Sequence, residues 1–131
     1  MSKPAIIIID DEKAVLNSVL NQLKSAFGFN YTYEIAETVQ DAWEVLEELK
    51  EEGVEVKLLI SDWLMPKVKG DQFLIEVAEK YPDISQIMLS GYADQDSIDN
   101  AWKNANLKAF IKKPWEEKEL IAEVDKVMQG S

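Results

Sequence analysis

At 131 residues, 47% hydrophobic and 30% charged, the chain is long enough and apolar enough to bury the core of one globular domain. Its 25 acidic residues outnumber 14 basic ones, and a formal net charge of −11 repels phosphate backbones, so direct nucleic-acid binding is not expected, while a divalent cation or a basic protein surface suits it. There is no cysteine and no histidine, which excludes disulfides, thiolate catalysis, Ser-His relays and the usual zinc ligands, and leaves carboxylates, hydroxyls and lysine for any chemistry.

In chain order, the first β-prone run is Ala5–Ile9 ("AIIII"), followed by a helical stripe of Val15, Leu16, Val19, Leu20 and Leu23. A second strand over Tyr31–Ile35 leads to a helix carrying Val39, Ala42, Leu46 and Leu49, opened by Thr38 or Asp41 and followed by Gly53. The third strand, Val56–Ile60 ("VKLLI"), precedes a helix that opens at Gly70-Asp71, carries Phe73, Leu74, Val77 and Ala78, and closes at "YPD". A fourth strand over Ile84–Leu89 is followed by Ile98, Ala101, Trp102 and Ala105, and a fifth over Leu107–Ile111 by Pro114 and a helix with Leu120, Ile121, Val124, Val127 and Met128. Five β-α units in alternation predict an α/β fold with a parallel sheet, helices on both faces and right-handed crossovers. "AIIII" and "VKLLI" are the most continuously apolar runs, as strands buried on both faces near the sheet centre should be.

Ligands of such sheets gather where strands end. The first strand exits into Asp10, Asp11 and Glu12, the third into Ser61-Asp62, the fourth into Ser90-Gly91 and the fifth into Lys112-Lys113-Pro114. Taken singly, the acidic pair reads as a helix cap with a first-turn acid, Asp62 and Ser90 as turn residues, and Lys113 as a solvated lysine. Together they put carboxylates, a hydroxyl and a lysine on one rim. Clustered carboxylates call for a cation, and an all-oxygen set selects Mg²⁺, Mn²⁺ or Ca²⁺ over zinc. A metal and a lysine around one carboxylate suit phosphoryl transfer, because both offset charge on the transferring oxygens.

"DD" at 10–11, "SDWLMP" at 61–66 with Gly70 downstream, "LSGYAD" at 89–94 and "KKPW" at 112–115 resemble, in this order and spacing, the receiver domain of two-component response regulators. The resemblance covers essentially the whole chain. It implies one receiver domain over 1–131 with a core of about 4–128, folded as a doubly wound (βα)5 three-layer sandwich, flavodoxin-like or CheY-like, with strand order 2-1-3-4-5. By position, Asp62 is similar to the aspartate that takes a phosphoryl group from a histidine kinase or histidine phosphotransfer protein. Asp11 and Asp62 resemble the carboxylates that hold Mg²⁺ (or Mn²⁺), with Asp10 acting mostly through an ordered water and the backbone carbonyl of Leu64 as a further ligand. Ser90 resembles the switch hydroxyl, Lys113 the phosphoryl-pairing lysine, Phe110 the switch aromatic, and the Lys113–Pro114 bond a turn that is commonly cis.

The implied mechanism is a population shift: phosphorylation of Asp62 adds roughly one to two negative charges and three acceptor oxygens, Ser90 moves towards them, Phe110 takes the vacated space, and the surface of helix 4, strand 5 and helix 5 changes to regulate an output domain or partner. Homodimerisation on phosphorylation is one further outcome the resemblance allows. Such a domain is not an enzyme on other substrates; it catalyses its own phosphorylation and dephosphorylation. Trp102 is expected to be partly core, with a place on the partner surface as the alternative. Leu64 is apolar where the family often has a polar side chain, so it offers no hydrogen bond to an attacking water and is expected to affect the lifetime of the acyl phosphate.

Two other readings share the topology. An aspartate-nucleophile phosphohydrolase would want a second acid two residues after Asp62, where Leu64 stands, and a substrate cap. A flavin-binding module would want a Ser/Thr/Gly-rich loop after the first strand, where "DDEKA" stands. With no apolar run of 18 residues and a start too short in apolar residues to be a signal peptide, the chain is expected to be cytoplasmic, with no membrane partner.

Overall fold

The computed structural model describes residues 3–62, 70–91 and 95–130. The elements are β1 (Ala5–Ile9), α1 (Lys13–Phe27), a 3-10 turn (Gly28–Asn30), β2 (Thr32–Ala36), α2 (Val39–Glu51), β3 (Val56–Ser61), α3 (Gly70–Lys80), β4 (Ser85–Ser90), α4 (Gln95–Asn104), β5 (Leu107–Lys112) and α5 (Glu117–Gly130). The five strands form one parallel sheet in the order β2-β1-β3-β4-β5. This is the doubly wound architecture expected from the alternating pattern, with β3 at the middle of the sheet. Among the described residues no helix is long and apolar enough to cross a membrane.

Successive strand residues face opposite sides of the sheet, so a strand buried on both faces feeds two cores. In β1, Ile6 and Ile8 pack with Leu16, Val19 and Leu23 of α1 and with Leu120, Val124 and Met128 of α5. Ile7 and Ile9 pack instead with Ala42, Leu46 and Leu49 of α2, Phe73, Leu74 and Val77 of α3, and Ala101 of α4. Each fully buried aliphatic side chain among these contributes roughly 1.5–3 kcal/mol. The helical stripes are narrower than the apolar pattern suggests, since Val15, Leu20, Ile121 and Val127 are only partly buried against the core.

Local signals account for the boundaries. The Thr38 hydroxyl accepts the Asp41 N–H at 3.0 Å and so caps α2. Gly53 follows that helix at φ +76°, a left-handed conformation in which an L side chain would be strained. β2 begins at Thr32, one residue later than expected, because Gly28–Asn30 takes a 3-10 turn that Tyr31 closes.

β4 differs from its apolar reading in one respect: Ser85, Gln86 and Ser90 are buried with the rest of the strand. Gln86 is satisfied by neighbours remote in sequence. Its amide nitrogen donates to the Leu74 carbonyl at 2.9 Å and its Oε1 accepts the Asn106 N–H at 3.2 Å. Asn106 in turn donates through Nδ2 to the Ile84 carbonyl at 2.9 Å. Gln86 thereby ties α3, β4 and the start of β5 together. Gln86→Leu, close in volume but unable to hydrogen-bond, is expected to cost about 1–3 kcal/mol in urea unfolding, because it strands polar backbone groups rather than opening a cavity.

Candidate functional site

Backbone ladders bring the strand-end residues together. The Asp10 N–H donates to Ala36 O at 3.2 Å and the Asp62 N–H to Ile9 O at 3.1 Å, so both acids are held one step beyond neighbouring strands β1 and β3. The Lys113 N–H donates to Ser90 O at 3.0 Å, extending the β4–β5 ladder in the same way. Strand alternation then separates the two lysines: Lys112 faces solvent, whereas Lys113 turns in, with its side chain 15% exposed. The Lys113–Pro114 peptide is cis. Just beyond it, the Trp115 indole N–H donates to Gln22 Oε1 at 2.9 Å and fastens this turn to α1.

Lys113 Nζ lies 2.7 Å from Asp10 Oδ2, 3.4 Å from Asp62 Oδ2 and 3.7 Å from Glu12 Oε1. Asp10 is 2% and Asp62 5% exposed, depths at which carboxylates need partners. Burial pushes the Asp10 carboxyl above its ordinary 3.8; the bond and charge of Lys113 and the Glu12 N–H pull it down by less, and Asp62 pushes it up again. For Lys113, burial is the strongest single influence and works against the ammonium, but its bond to and charge attraction from Asp10, together with Asp62, outweigh it and hold the group above its ordinary 10.5.

Asp11 is exposed, yet Asp10, Asp11, Glu12 and Asp62 each offer a carboxylate oxygen, all within 4.8 Å of one another. Such a set could hold a hard divalent cation, for which oxygen donors and incomplete protein coordination are usual. Ser90 is 1% exposed at the end of β4, beside Lys113 in the ladder. Phe110 lies on β5 opposite Met88 and is partly buried on the α2–α4 side of the sheet. Leu64 lies outside the described residues. Two further groups belong to the site though the strand-end reading gave them no role. Ser61 donates through its hydroxyl to the Asp62 carbonyl at 3.0 Å, and the Glu12 N–H donates to Asp10 Oδ1 at 2.9 Å. A serine immediately before an acid in a buried strand was the available signal for the first.

The family model of the response regulator receiver domain matches residues 6–125. The sensor kinase CckA of Brucella abortus is 32% identical over 124 residues, covering 95% of this chain; the chain spans 12% of that kinase's length. A chemotaxis protein CheY homolog of Campylobacter jejuni is 26% identical over 125 residues, covering 94% of this chain and 91% of its own. Among solved structures, a CheY-like receiver domain protein of Methanospirillum hungatei superimposes with a TM-score of 0.81 at 25% identity, covering 99% of this chain and all of its own. The fold, the rim of acids with one inward lysine, and a family match over nearly the whole sequence agree: this chain belongs to the response regulator receiver domain family.

Proposed function

We propose that the domain is a phosphoacceptor switch in which Asp62 receives a phosphoryl group from a histidine kinase or a histidine phosphotransfer protein. The observation that carries this reading is the position of Lys113, an inward ammonium 3.4 Å from a nearly buried carboxylate at the end of the central strand. An oxygen of Asp62 attacks the donor's phosphorus, the P–N bond of the phosphohistidine breaks, and the imidazole leaves with a proton. Lys113 offsets charge gathering on the phosphoryl oxygens, and burial of the pair strengthens that attraction relative to water. Asp11 and Asp62, with Asp10 in support, are the described residues that would hold Mg²⁺ (or Mn²⁺), which when bound would further neutralise the same oxygens.

Ser90, buried at the end of β4 next to the strand that leads into Asp62, supplies in this reading the hydroxyl that turns to a phosphoryl oxygen on Asp62. Phe110 is the aromatic side chain of β5 and lies, like Leu107, on the α4 side of the sheet, and among the described residues α4 buries just Ser97 and Ala101. A helix seated on two small side chains has little apolar burial to lose on shifting, which makes its outer face the natural readout. Trp102 on α4 is 48% exposed and places an aromatic anchor where an output domain or downstream protein would dock. The chemistry is confined to the domain's own phosphorylation and dephosphorylation, and the setting is the cytoplasm, where kinase donors are.

Acetyl phosphate with Mg²⁺ should label the protein on one carboxylate and change its tryptophan fluorescence. Ser90→Ala should still take the label but lose most of the fluorescence change. A full-sized change in that variant would remove Ser90 from the switch, and failure of the parent protein to label would sink the reading as a whole.

A further inference from the structure

Glu12 has no part in the switch as described, yet it is tied to the charged groups of the site. It occupies the N-cap position of α1, and its side chain makes no capping hydrogen bond. Short side chains such as serine or aspartate close onto the first free N–H groups of a helix; glutamate is poorly proportioned for it. Its backbone instead serves Asp10, donating to Oδ1 at 2.9 Å and leaving Oδ2 for Lys113 at 2.7 Å. Its side chain turns back to the site, with Oε1 3.7 Å from Lys113 Nζ and a carboxylate oxygen inside the 4.8 Å group with Asp10, Asp11 and Asp62.

With every group ionised, four carboxylates face one ammonium, a formal charge of −3 where the same site without Glu12 would carry −2. The excess charge sits on a side chain that is 65% exposed, long enough and free enough to adjust. We propose that Glu12 is a positioning residue for the cation site: its carboxylate strengthens divalent-cation binding, and in the cation-free protein it shares Lys113 with Asp10 and Asp62. This rests on the reading of the rim as a cation-dependent phosphoacceptor site.

The test is calorimetric titration of the protein with MgCl₂ and no phosphodonor. Coulomb's law at a solvent-like dielectric over roughly 5 Å, reduced by salt, makes one carboxylate worth about three- to tenfold in dication affinity. Glu12→Gln and Glu12→Ala should each weaken the Mg²⁺ Kd by that factor. Glu47→Gln, which neutralises an acid paired with Lys80 at 3.9 Å in the last turns of α2 and α3, at the other end of the sheet, should stay within about twofold of the parent. A Glu12→Gln Kd within about twofold of the parent overturns the proposal, as does an equal loss in Glu47→Gln, which would make the effect one of bulk charge. Asp11→Asn separates the two levels. If it loses Mg²⁺ while Glu12→Gln does not, Glu12 alone is excluded; if both bind as the parent does, the cation site itself is wrong.

Discussion

Asp62→Asn is expected to abolish acyl-phosphate labelling completely while leaving the fold intact. The reaction needs an anionic oxygen, and a carboxamide at the same position is neutral and a far poorer nucleophile. The fold should survive because Asp62 is held through its backbone, by the N–H bond to Ile9 O, and through a carbonyl that accepts from Ser61. Neutralising position 62 removes a negative charge whose repulsion helps to push up the Asp10 carboxyl but also the attraction to Lys113 at 3.4 Å, and because the two oppose one another the cation-free variant should unfold close to the parent's temperature. Intact-mass measurement after acetyl phosphate and Mg²⁺, with hydroxylamine treatment to identify an acyl phosphate, checks the first point. A hydroxylamine-sensitive label at the parent level in Asp62→Asn would mean that another carboxylate is the acceptor.

Lys113→Met should have the largest effect on stability. Methionine keeps much of the lysine stem's volume, so the loss is chiefly one of charge. It leaves Asp10, at 2% exposure, beside Asp62 with no cation between them. Removing one partner of a buried pair costs about 3–5 kcal/mol; because Lys113 keeps some exposure, about 3 kcal/mol is expected in urea unfolding with EDTA present. Added Mg²⁺ should recover a larger share of stability in the variant than in the parent, since it takes over the missing positive charge. The alkaline limb provides a second readout. The folded pKa of Lys113 lies above its ordinary 10.5, so its contribution is fully present below that value and is lost as pH rises through the folded pKa. The parent should therefore lose stability above about pH 10.5 more steeply than Lys113→Met. Equal stability of the two proteins in EDTA at neutral pH would show that the contacts of Lys113 with Asp10 and Asp62 contribute nothing net to the fold.

Much of this was legible along the chain because the relevant signals are local. Each strand is a short apolar run, each helix a periodic stripe, and each strand end a change from apolar to charged residues, so β1 through β5 could be placed to within a residue or two. Lys112 and Lys113 alternate along one strand, and in the structure Lys113 is the one that faces the acids. The misses are contacts between residues distant in sequence. Nothing in "SQIML" states that Gln86 reaches the carbonyl of Leu74 and the N–H of Asn106, since those positions meet only once β4 lies beside β5 under α3. Trp102 sits in a stripe that predicts partial burial, yet it is 48% exposed, because α4 turns the smaller Ser97 and Ala101 to the sheet.

The sequence by itself determined the alternating elements, the two central strands and the set of chemical groups at the strand ends, because periodicity and strand termini are properties of neighbouring residues. The tertiary structure decided which of those groups meet. Asp10 and Lys113 are 103 positions apart and end 2.7 Å from one another, a distance set by sheet order and by the ladder bonds of Asp10, Asp62 and Lys113. It also decided that Glu12, one more acid in "DDE" when read along the chain, turns from the helix it precedes towards the shared lysine. Local propensity cannot encode that choice, since it follows from where the opposite edge of the sheet delivers its positive charge.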